Sequence, residues 1–87
     1  MSSESKSILY VVRSETPPAW SQHVSSADSI LLVENGVYLH ASEHFRTARV
    51  YVLTSDVVAR AITTQAQLVD HDDWVKLSLS HDQIIRL

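Results

Sequence analysis

Apolar side chains fall in short, β-prone runs separated by stretches of helical period. Residues 8–12 (Ile-Leu-Tyr-Val-Val) are continuously apolar and rich in β-branched side chains, which predicts a strand. Residues 30–33 (Ile-Leu-Leu-Val) form the longest aliphatic run, with no polar alternation. That pattern suits a strand buried on both faces, at the centre of a sheet. Arg49 leads into a third run at 50–53, residues 67–69 form a short fourth, and residues 84–87 are β-prone enough to add an edge strand.

The intervening segments read as helices. Thr16 can cap one, with Pro17 at its first position, and Ala19, Trp20, His23, Val24 and Ala27 then share a face. Thr54 or Ser55 can cap the next, with Asp56 in its first turn and Val58, Ala61 and Ile62 facing inward. Asp72 can cap a last helix carrying Trp74, Val75 and Leu77. Strands about 20 residues apart, alternating with helices, imply an α/β domain with a mostly parallel sheet of four to five strands and right-handed crossovers. Residues 1–7 read as a flexible tail and residues 8–87 as one domain.

After residue 33 two readings stand. Asn35-Gly36 between apolar runs is a hairpin signal. A turn there followed by a short helix, reaching about Phe45, is the alternative. Gly36 is the only glycine in the chain. It marks a backbone position that needs positive φ, or one that something approaches closely.

Composition narrows the function classes. A chain of 87 residues buries only about 60–65% of its unfolded surface, so covering apolar area with a partner helps it. Seven Lys/Arg against ten Asp/Glu give a formal charge of −3, and the basic residues are scattered. Direct nucleic-acid binding would need a basic stripe. The apolar runs fall short of a membrane span. The polar opening reads as belonging to a cytoplasmic protein. There is no cysteine, which removes disulfides, thiolate metal sites, cysteine nucleophiles and persulfide carriage by this chain.

Candidate chemistry is sparse. His40-Ala41-Ser42-Glu43-His44 matches the H-x-x-E-H zinc pattern, but such enzymes need a third ligand and a substrate cleft in a far larger fold, and exposed polar residues on a short helix are the better reading. With one glycine, neither a G-x-S-x-G elbow nor a glycine-built phosphate loop is available. His71-Asp72-Asp73 reads as helix capping rather than a cation site. Arg60, one turn after Asp56, predicts an i,i+4 ion pair, with an anion-binding role at a subunit contact as the functional alternative. Trp20 and Trp74 read as core or interface anchors. No metal or cofactor is expected.

Three segments in order, L-L-V-E-N-G-V, V-Y-V-L-T-S-D-V-V-A-R-A and L-V-D-H-D-D-W-V-K-L-S-L-S-H, resemble the TusB/DsrH family of the DsrE/DsrF/DsrH sulfur-relay superfamily. The resemblance spans roughly residues 7–81. It implies a small Rossmann-like or flavodoxin-like domain, and it favours a helix over a hairpin after Gly36. Asn35, Gly36 and Val37 match the family's turn after the strand. Asp56, Ala59 and Arg60 match its D-x-x-A-R segment, and Trp74 and Val75 an aromatic-apolar pair in the last helix. Ala61 stands where many relatives have glycine. The candidate interface or strand-end site is Asn35, Gly36, Val37, Ser55, Asp56, Arg60 and Trp74. The resemblance also implies a non-catalytic, TusB-like subunit of a hetero-hexameric complex with TusC-like and TusD-like partners. Such a complex passes persulfide sulfur towards 2-thiouridine at the tRNA wobble position. Two other readings remain: a subunit of a DsrEFH-type sulfur-oxidation complex, and a homo-oligomer that holds a small anion with Ser55, Asp56 and Arg60.

Overall fold

The computed structural model describes residues 7–16, 27–41 and 48–86. The strands are β1 (Ile8–Val12), β2 (Ser29–Leu32), β3 (Arg49–Leu53), β4 (Gln67–Val69) and β5 (Gln83–Arg86). They form one sheet in the order β4-β3-β2-β1-β5, with all four pairings parallel. The sheet is therefore α/β and wholly parallel, and the run at 84–86 does supply its edge strand. All but Ser7 of the predicted tail at 1–7, and most of the helix predicted from Thr16 to Ala27, lie outside the described residues.

β2 is the central strand, and its lack of polar alternation has the expected consequence. Ile30 and Leu32 enter one core with Tyr10, Val12, Val37, Val52 and Val57. Leu31 and Val33 enter the other with Leu9, Val11, Leu53 and Val69. Helix α1 (Thr54–Ala59) covers the first face through Val57, and α2 (His71–Ser80) covers the second through Trp74 and Leu77. Burial of a full aliphatic side chain contributes about 1.5–3 kcal/mol. A strand that feeds both layers is the natural spine of so small a domain.

The chain after β2 forms no hairpin in the described region; it turns into a short helical segment, as the alternative reading expects. Glu34–Leu39 is a 3-10 segment, and residues 42–47 are not described. Gly36 has no positive φ. Its reason is close approach: a Cβ there would lie 2.1 Å from the Val12 carbonyl oxygen.

The helix ends differ from expectation in three places. Neither Thr54 nor Ser55 caps α1; Leu53 holds the cap position without a side-chain bond. The Thr54 hydroxyl instead donates to the Val69 carbonyl at 3.0 Å, tying β3 to β4. The inward residue of α1 is Val57, while Val58 is exposed. The cap of α2 is Asp70, not Asp72. The Asp73 N–H donates to Asp70 Oδ1 at 2.8 Å, and the Asp70 N–H donates to Asp73 Oδ2 at 3.2 Å. This reciprocal box satisfies two otherwise orphaned donors.

α1 closes on a residue with left-handed backbone, Ala61 (φ 53). The Ala61 N–H donates to the Val58 carbonyl at 3.1 Å and the Ile62 N–H to the Val57 carbonyl at 3.0 Å. That is a Schellman closure, a position that glycine fills most comfortably.

Candidate functional site

In a parallel sheet the strands all finish at one edge, and chain direction reverses outside it. Here β1 to β4 step outward in one direction, and the chain then crosses back to place β5 on the other side of β1. Ligand sites of open α/β sheets favour the carboxyl edge near such a reversal.

At that edge β2 gives way to Glu34, which has φ 51. A non-glycine residue there costs on the order of 1–2 kcal/mol. The neighbours hold it in place. Its N–H donates to Asp56 Oδ2 at 2.8 Å, and the Gly36 N–H donates to the Val33 carbonyl at 2.8 Å. The other oxygen of Asp56 lies 3.4 Å from Arg60 Nη1, the expected ion pair one turn apart. Arg60 Nη1 also donates to the Asp56 carbonyl at 3.3 Å. Its Nε and Nη2 donate to Asn35 Oδ1 at 3.2 and 3.1 Å. Asp56 thus bridges a strained backbone N–H and a guanidinium, and Arg60 links α1 to the turn.

The structure brings Asn35, Asp56 and Arg60 into one clamp, with Gly36 buried beneath it against β1. Val37 is a core residue. Ser55 is exposed and, among the described residues, enters none of these bonds. Trp74 lies on the opposite face of the sheet, packed against the core under α2, with the His71 ring stacked on it at 6.1 Å.

Beside the clamp is a cleft of about 420 Å³ lined by Val11, Arg13, Glu34, Trp74 and Arg86. Arg13, Glu34 and Arg86 were not singled out in the sequence. Each is the first charged residue after, or at the end of, an apolar β run, so the signal was a charge at the carboxyl end of three strands. Among the described residues no group of three His, Asp or Glu is placed to hold a metal. Of the H-x-x-E-H pattern only His40 and Ala41 are described. No helix among the described residues is long and apolar enough to cross a membrane.

A family model for "DsrH like protein" matches residues 12–84. The chain belongs to the DsrH-like family. Its fold also matches a solved structure: the solution structure of protein Tm0979 from Thermotoga maritima aligns with a TM-score of 0.67. That alignment covers 83% of this chain and 91% of that one at 23% identity, and it establishes the fold alone. No curated protein matches. DsrH-like proteins are sulfur-relay subunits, and this one lacks cysteine throughout its sequence.

Proposed function

We propose that this chain is the non-catalytic, TusB-like subunit of a TusBCD-like complex that delivers persulfide sulfur for 2-thiouridine formation at the tRNA wobble position. The observation that carries this is a DsrH-like chain without a thiol. It cannot hold persulfide, so its part in a relay is to brace and shape a partner's reactive site in the cytoplasm.

The surface supports a partnered role. Val75 and Leu79 stand one turn apart on the outer face of α2, and Leu79 is 82% exposed. Leu68, on the edge strand β4, is half exposed. Val75 and Leu79 together form an exposed apolar strip on α2, and such strips mark contact surfaces. The half-exposed clamp of Asn35, Asp56 and Arg60, with Ser55 beside it, offers a polar counterpart at the carboxyl edge.

Co-expression with TusC-like and TusD-like subunits, followed by light scattering on the purified material, tests the reading. One assembly containing all three chains is expected. Partners that assemble with each other while this chain elutes alone would sink it. In the assembled complex, sulfur label from a cysteine desulfurase is expected on the partner's cysteine and not on this chain.

A further inference from the structure

The cleft beside Trp74 has a composition that the relay reading does not use. Its floor is Val11, buried in β1. Arg86 of β5 is the register partner of Val11, so both side chains point to the face that carries α2. Arg13 lies two residues beyond Val11 and shares that face by the same alternation. Two guanidiniums therefore converge from adjacent strands on one side, beside an indole. Glu34 is the single carboxylate among the described residues of the lining. Among the described residues, Arg86 makes no ion pair.

Three independent features point to a ligand here. The cleft lies at the carboxyl edge where the order of strands reverses. Its volume of about 420 Å³ falls within the range of small-molecule sites. Its lip is Glu34, a residue in left-handed conformation held there by Asp56, and such strain gathers at ligand sites.

We propose that this cleft binds a small organic anion with a flat apolar body, of the class of aromatic carboxylates and phosphate esters. The flat group packs on the Trp74 indole and the Val11 floor, and the anion is taken by Arg86 with Arg13. Guanidinium forks match carboxylate and phosphate oxygens in pairs. The Trp74 ring is oriented by its stack on His71, so little ordering is left for the ligand to impose. Asn35, Asp56 and Arg60 are positioning residues for this site, because they hold the Glu34 lip.

Phenyl phosphate is the probe, titrated into isotope-labelled protein and followed by amide and indole NMR shifts. Saturable shifts at Val11, Glu34, Arg86 and the Trp74 indole N–H are expected. Arg86→Gln should weaken binding about tenfold, the loss of one charge-assisted contact, with an unchanged melting temperature. Trp74→Leu should weaken phenyl phosphate but leave the weak binding of inorganic phosphate as it was. Shifts that do not saturate, shifts centred elsewhere, or equal binding by the cation benzylamine would overturn the proposal. So would full affinity in Arg86→Gln, whose side chain is exposed, so the test stands even if Trp74→Leu fails to fold.

Discussion

The two edges of the sheet solve the same problem in opposite ways. At the amino edge, the polar groups that open the central strand are buried. Asp28 and Ser29 are 5% and 4% exposed. Asp28 Oδ1 accepts from the Ile8 N–H at 3.2 Å. His81 Nδ1 lies 2.7 Å from the Leu77 carbonyl and donates to it, and Nε2 lies 2.9 Å from the Ser29 hydroxyl oxygen. At the carboxyl edge the charged groups are partly or fully exposed, the backbone at Glu34 is strained, and two arginines line a cleft. Buried and satisfied groups fasten strands and helices together. Exposed charge beside enforced strain is the arrangement on which the proposed anion site rests.

The difference can be tested by substitution. The largest effect is expected at Gly36, the one carboxyl-edge residue with a purely structural duty. Gly36→Ala drives a methyl group into the Val12 carbonyl, with an expected loss of about 3 kcal/mol. That corresponds to a fall in melting temperature of roughly 12–24 °C. A variant that melts like the parent would show that β1 can yield and that the edge is looser than its geometry. At the amino edge, Ser29→Ala removes the hydroxyl partner of His81. Its expected cost is about 1–2 kcal/mol in denaturant unfolding; no cost would erase the contrast between buried and exposed polar groups.

A gain is expected from Ala61→Gly, about 1 kcal/mol, by relieving the left-handed closure of α1. Calorimetry of that single variant checks it. Arg60→Gln breaks a partly exposed pair and should cost under about 1 kcal/mol, while loosening the Glu34 turn, visible as faster amide exchange there. The smallest effect is pH-dependent. Hydrogen bonding from the Asp73 N–H, foremost among several causes, holds the Asp70 carboxyl below its ordinary 3.8. The charged carboxylate therefore supports the fold above that value, and the support is lost as pH falls through the lowered folded value. Asp70→Asn should flatten acid unfolding in that window; an unchanged acid profile would show that the box acts through geometry alone.

Much of this was legible one element at a time. Four aliphatic residues without alternation at 30–33 suit a strand with two covered faces, and the central strand feeds both cores. Spacing alone announced the Asp56–Arg60 pair. What spacing could not show was whatever the fold brings from afar. Asn35 meets Arg60 across 25 positions of sequence, and Val11 meets Arg86 only through register. Local ambiguity accounts for the remaining errors. Val57 and Val58 are the same residue type one position apart, so the spacing set Val58 inward in place of Val57, while Ile62 does pack on that core. Four aspartate or histidine side chains in a row at 70–73 left the true cap of α2 hidden among its neighbours. Gly36 offered two explanations, and only the path of β1 beneath it chose between them.

The pairing of β1 with β5 sets an order of events. β1 meets β2 across about 20 residues, whereas Ile8 pairs with Gln83, and closing the longer loop costs about 1 kcal/mol more. β5 is thus expected to dock late in folding and to be first to leave. The wall of the Trp74 cleft formed by Arg86 exists only once that strand is home. Pulse-labelling of amides during refolding should find β5 protected after β2 and β3. Any ligand seated in the cleft would then act as a latch, slowing the release of the last strand to arrive.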